Sequence, residues 1–157
     1  MYGLGCQPER VTEEAEFTPG LRIANATAEG AKEYIYIQAS EALAVNAWVA
    51  LTDNYHALEG SSAGADVRRG GRAAVVSEVA MPNGHWGWAQ IDGQVRAEGV
   101  NGMTQNNVNT NGIRFTGTPG VVDDANAGTV IEGAQMVAAP VSGVGTFVLN
   151  SPHVSTV

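Results

Sequence analysis

The stretch Gly84 to Gly99, GHWGWAQIDGQVRAEG, constrains the fold most, because its residue types and their alternation favour extended chain over helix. Val95 and Ala97 point one way along its second half, and Gln94, Arg96 and Glu98 the other, which is the period of a strand. In the first half Trp86 and Trp88 share one face, with Ala89 and Ile91 on the opposite one. Asp92-Gly93 between the two runs predicts a two-residue hairpin turn of type I′, whose central positions both need positive φ. A first arm that is apolar on both faces belongs in the middle of a sheet or barrel rather than at its edge. The two tryptophans have two readings: core packing, the usual fate of such side chains, or an aromatic ligand platform.

The rest of the chain repeats the strand signal. Leu21–Ala24 follows the Pro19-Gly20 turn. Glu33–Ala39 sets Tyr34, Tyr36 and Gln38 on one face and Ile35, Ile37 and Ala39 on the other. Ala47–Thr52 carries Trp48 opposite Val49 and Leu51, and Asp53-Asn54 turns it back into Tyr55–Leu58. Ala73–Ala80, Ile113–Thr116, Thr129–Ala138 and Gly145–Leu149 complete the set. Asn101–Gly112 reads as a long polar loop with a hairpin tip at Asn111-Gly112. No apolar stripe of helical period runs beyond about two turns, so helix should be scarce. The expectation is an all-β chain: a single small β-barrel or β-sandwich domain over 17–157, preceded by an irregular arm over 1–16. A length of 157 residues suits one domain with an ordinary core.

The arm differs in composition from the domain. Glu9, Glu13, Glu14 and Glu16 cluster there, and Gly3, Gly5 and Pro8 oppose regular structure. Tyr2, Leu4, Val11 and Phe17 are spaced apolar anchors. Such a segment is either a frayed terminus or an arm that orders on a neighbouring subunit. On the second reading it is disordered in the free protein, since so few apolar groups do not offset the cost of ordering. A second candidate contact is the basic group Arg68, Arg69 and Arg72 at the end of a Gly/Ser/Ala-rich loop. These arginines are either solvated or paired bidentately with carboxylates of a partner.

Charge narrows the partners. The formal net charge is −8, and Lys32 is the only lysine, so neither nucleic acid nor an anionic membrane is an expected partner. No apolar run reaches the length of a membrane span. MYGLGCQPER has no basic segment followed by an apolar run, so the expectation is synthesis and folding in a cytoplasm. Cys6 is the only cysteine, which leaves no intramolecular disulfide or cysteine metal site.

The search for catalytic or cofactor motifs finds none. His56, His85 and His153 are not in ligand spacing, and no nucleophile elbow or phosphate loop occurs. Asp123, Asp124 and Asn126 resemble the start of a calcium loop, but the later glycine and glutamate fall out of register, so a turn with solvated carboxylates is expected. The expectation is therefore a non-enzymatic protein with no cofactor.

From about Phe17 onward the chain resembles the head decoration, or cement, proteins of tailed bacteriophages. The resemblance lies in EYIYIQASEALAVNAWVAL, in GWAQIDGQV after a valine-rich strand, in GVVDDANAGTVIEGAQMVAA and in the closing LNSPHVS. It implies a β domain on the outside of an icosahedral capsid, often as a homotrimer, with the phage major capsid protein as partner and the virion exterior as location. It brings no catalytic or metal-binding residue with it. A tail- or fibre-associated carbohydrate- or receptor-binding module is the alternative, and a row of exposed tryptophans would favour it.

Overall fold

The computed structural model describes residues 7–61, 71–125 and 127–155. Within them the chain is almost wholly extended: strands β1 (Arg22–Thr27), β2 (Gly30–Ala39), β3 (Trp48–Leu51), β4 (His56–Glu59), β5 (Arg72–Val75) and β6 (Trp86–Glu98), a short helix α1 (Gln105–Asn111), then β7 (Ile113–Phe115), β8 (Val122–Asp123), β9 (Val130–Val141) and β10 (Val144–Val154).

Five strands close into a ring. β2 pairs in parallel with β4, β4 antiparallel with β3, β3 with β5, β5 with β6, and β6 returns to β2. The alternation seen in the sequence fills it: Ile35, Ile37 and Ala39 of β2 face inward with Val49, Leu51, Ala57, Ala74, Val76, Ala89 and Ile91. A second core lies outside the ring, where Trp48, Ala73 and Val75 meet Val95, Ala97, Phe115, Phe147 and Leu149. β3 and β5 are thus walls shared by two cores, which is why both of their faces are apolar.

The centre of the chain corrects one expectation. Asp92-Gly93 makes no hairpin; β6 runs through it as one strand of 13 residues. Gly93 alone takes positive φ there, at 85°, whereas a type I′ turn needs it at both positions. The result is a bend within the strand, with a register shift against β2 at this point. Before the bend β6 pairs with β2, from Gln38↔Trp86 to Glu33↔Asp92; after it β6 pairs with β10, from Asn150↔Asp92 to Val144↔Glu98. A Cβ on Gly93 would stand 2.4 Å from the carbonyl oxygen of Ala31, so the close approach of β2 also demands glycine. Gln90, fully buried, staples the bend: its Nε2 donates to the carbonyls of Asp92 and Gln94, both at 2.9 Å. The two-residue hairpin forms instead at Ser142-Gly143, with φ of 53° and 84°, joining β9 to β10.

Asn101–Gly112 is the second difference. It contains α1 rather than a hairpin tip, and Gly112 caps the helix with φ 78°. Thr104 is the N-cap, its hydroxyl accepting from the Asn107 amide at 3.2 Å. Asp124, buried, accepts from the Thr104 amide at 2.6 Å through its carboxylate, and its carbonyl accepts from Asn111 Nδ2 at 2.8 Å. That buried carboxylate is a clamp on the helix, which corrects the expectation of a solvated carboxylate at Asp124; Asn126 lies outside the described residues. The expected strand at Ala73–Ala80 is shorter, Arg72–Val75.

Candidate docking face beneath the arm

The outward side of β2 and β6 carries an aromatic row. Tyr36 and Trp88 are cross-strand partners, and Trp86 sits one step along, opposite Gln38. Tyr36 stacks on Trp86 with ring centroids 5.7 Å apart and lies 5.0 Å from Trp88. Tyr34 extends the row and donates from its hydroxyl to Glu78 at 3.1 Å. Aromatic pairs at these separations attract beyond the area they bury.

The row is covered by the chain's own arm. Phe17 sets its ring edge-on to Tyr36 at 5.2 Å and tilted over Trp88 at 5.4 Å. Thr12 makes a two-way backbone bridge with Trp86, at 3.0 and 2.8 Å, and the Glu16 amide donates to the Tyr36 hydroxyl at 3.0 Å. Arg10 and Glu16 form an ion pair along the arm. Val11 packs against the ring core, near Met81, where Gly87 leaves the space: a Cβ there would meet Met81 Sδ at 2.7 Å and the Arg10 carbonyl at 3.5 Å.

This arrangement corrects the picture of a free arm over its described part. Residues 7–16 lie on the domain, and Val11 and Phe17 are half-buried against it. The reason is that the arm does not need an apolar anchor at every turn. An outward aromatic row supplies one deep contact, and unpaired backbone at the start of β6 supplies the bridge. The packing reading holds for Trp88, which is 4% exposed, while Trp86 is half-buried at the row's outer end.

The other candidate residues do not join this face. Tyr2, Leu4, Arg68 and Arg69 lie outside the described residues. Arg72 opens β5 across from His153 of β10, and with Arg22, Ile91, Ser151 and Pro152 it lines a shallow cavity of about 320 Å³. Arg22 is ion-paired with Glu33 at 3.5 Å. A larger polar cavity of about 400 Å³ lies over the β6 bend, between Glu29, Lys32, Asn46, Glu78, Gln94 and Arg96. Lys32 is paired with Glu29 at 2.9 Å. Gln90 also lines this cavity, and its Oε1 is buried without a partner among the described residues. No local sequence signal marks this cavity, because it exists only where β2, the bend and β10 converge.

A second surface stands out by its lack of charge. From Gly133 to Pro152 the β9–β10 hairpin has no charged residue. Val137 is 59% exposed and Val141 77%, the two most exposed large aliphatic side chains among the described residues, and Val148 of β10, opposite Gln135, is exposed as well. Bulges in β9 and Pro140 break the regularity of this strand, so it offers side chains rather than an open backbone ladder.

Titratable groups are dispersed. Among the described residues no three His, Cys, Asp or Glu side chains converge as metal ligands. His153 Nε2 lies 3.0 Å from Glu132 on the exposed side of the β9–β10 hairpin. Glu98, at the end of β6, is held above the usual carboxylate range by partial burial and then by the nearby Glu59 charge. Among the described residues no helix is long and apolar enough to cross a membrane. No family model, curated protein or solved structure matches this chain.

Proposed function

We propose that this protein is a virion structural protein that binds the outer surface of a tailed-phage capsid and stabilises it. The observation that carries this reading is the uncharged stretch Gly133–Pro152 of β9 and β10 on a chain of net charge −8, with Val137, Val141 and Val148 exposed on it. Surfaces that meet another protein are depleted in charge at their centre, and exposed aliphatic groups concentrated in one place mark such a surface. The acidic remainder disfavours contact between free copies in solution. The sequence resemblance points the same way, and it assigns the major capsid protein as partner and a homotrimer as the bound form. A domain of this size, docked at several points on a lattice, gains its hold through multivalency rather than through one deep pocket. The reading involves no catalysis and no cofactor.

The alternative, a tail- or fibre-associated carbohydrate-binding module, draws on the Trp86–Tyr36–Trp88 row. That row is filled by Phe17, which disfavours it as an open sugar platform. The test is the number of copies in purified virions, measured by quantitative mass spectrometry against the major shell protein. Hundreds of copies per particle support the decoration reading. A few copies per particle support the alternative, and none overturns both.

A further inference from the structure

We infer that Asn101 is a self-modification site: the Asn101-Gly102 pair deamidates in the folded protein and places a negative charge at the tip of the β9–β10 hairpin. The inference is independent of the proposed capsid binding and is tested without particles. Asparagine followed by glycine is prone to this reaction, because no side chain hinders the glycine nitrogen from reaching the asparagine amide carbon. The chain has three such pairs, Asn83-Gly84, Asn101-Gly102 and Asn111-Gly112, and the fold treats them differently.

The nucleophile is the glycine backbone nitrogen, which must be free to lose its proton. The Gly84 amide donates to the Ala39 carbonyl at 2.8 Å, and the Gly112 amide to the Val108 carbonyl at 2.9 Å. The Gly102 amide has no acceptor among the described residues. It lies inside the turn that the Met103 amide closes onto the Val100 carbonyl at 3.4 Å, with Gly102 at φ 97°. Space does not separate the pairs at 83 and 101. Both are exposed, and a Cβ on Gly84 or Gly102 would meet nothing within 4 Å. The state of the amide separates them.

The electrophile differs as well. Asn101 Oδ1 accepts from the Gly143 amide at 2.9 Å. Only the oxygen of the side-chain amide can face an N–H, so its orientation is fixed. This hydrogen bond strengthens as negative charge develops on the oxygen during attack, as in an oxyanion hole. Asn111 is arranged the other way: its Nδ2, the leaving group, donates to the Asp124 carbonyl at 2.8 Å and is held in place.

The steps balance without a cofactor. Hydroxide takes the Gly102 amide proton, the nitrogen bonds to Asn101 Cγ, and the Cγ–Nδ2 bond breaks to release ammonia, which takes its last proton from water. Water then opens the cyclic imide at either carbonyl and leaves aspartate or isoaspartate at 101. Amide and water have become carboxylate and ammonium, with nothing oxidised or reduced. The new carboxylate stands beside Gly143, in the turn that follows Val141, where Gly133–Pro152 carries no charge of its own.

The experiment holds full-length protein in mildly alkaline buffer, folded and, in parallel, unfolded in urea. Conversion at each asparagine is followed over time by proteolysis and tandem mass spectrometry. A hydrogen-bonded amide is free roughly two- to tenfold less of the time than an unbonded one, so folded Asn101 should convert at least about twofold faster than Asn83 and Asn111. In urea the three rates should converge. Conversion of Asn83 or Asn111 as fast as Asn101 in the folded protein, or no conversion at Asn101, overturns the inference. A lead for Asn101 that persists unchanged in urea overturns it too, because the selectivity would then lie in the local sequence and not in the fold.

Discussion

Replacing Gly93 by alanine tests the bend that joins the two cores. Gly93 sits at φ 85°, a conformation that costs an L-residue about 1–2 kcal/mol. The new Cβ would also lie 2.4 Å from the Ala31 carbonyl oxygen and 3.3 Å from Lys32 Cα. Both are β2 backbone atoms, so relief requires moving a strand that is itself paired on each side. Forced overpacking of this kind costs about 1–3 kcal/mol. The sum is roughly 2–5 kcal/mol, and at about 2–4 °C per kcal/mol for a chain of this size the melting temperature falls by roughly 4–20 °C. Urea unfolding followed by tryptophan fluorescence gives the free energy directly. Asp92→Thr is the control that separates a bend from a hairpin. In a strand with negative φ, threonine at 92 is within about 0.5 kcal/mol of wild type. In a type I′ turn a β-branched residue there would be strained. A Gly93→Ala variant as stable as wild type, or an Asp92→Thr variant as damaged as Gly93→Ala, refutes the reasoning.

Trp88→Ala should cost about 3–5 kcal/mol, and Trp86→Ala clearly less, because only Trp88 is enclosed between Tyr36 and Phe17; thermal melts of the two variants check the order. Asp124→Ala should cost about 1–3 kcal/mol and raise hydrogen exchange at the Val108 and Gly112 amides, since it leaves the Thr104 amide without its acceptor. Glu98 has its folded pKa above the unfolded value, so the folded state holds the proton longer and stability declines as pH rises from the ordinary glutamate range through that higher value. Glu98→Gln should therefore flatten that decline and be at least as stable as wild type at pH 7, read from melting temperatures between pH 4 and 7. A loss of stability confined to pH 7 in Glu98→Gln would contradict it.

Much of the body was legible. The alternation in Glu33–Ala39 places Ile35 and Ile37 inside the ring and Tyr34 and Tyr36 outside it, as the pattern requires. The two-sided apolar character of GWAQI correctly marks a central strand, since β6 pairs on both sides. Local turn chemistry was less reliable. Asp-Gly suits a type I′ turn, but a single positive φ also suits a bulge, and the long-range pairing with both β2 and β10 selects the bulge. Ser142-Gly143 is a weaker local signal and yet forms the turn, because β9 and β10 have apolar faces that pair around it. The α1 segment QNNVNTN has low intrinsic helix preference and one buried residue, Val108; its helix depends on Asp124, which is distant in sequence. The arm's anchors Val11 and Phe17 were legible, whereas the place where they dock was not, because Phe17 meets a row that exists only after β2 and β6 pair.

The proposed capsid binding is tested most directly by adding purified protein to tailed-phage heads that lack a decoration protein. Binding should saturate at a fixed ratio to the major shell protein over the whole capsid surface, seen by cosedimentation and electron microscopy. The loaded heads should withstand a higher temperature before releasing DNA. Val137→Asp combined with Val141→Asp, both at exposed positions, should abolish that binding while leaving the melting temperature of the free protein nearly unchanged. Heads that take up no protein, or that take it up only at the tail, contradict the account.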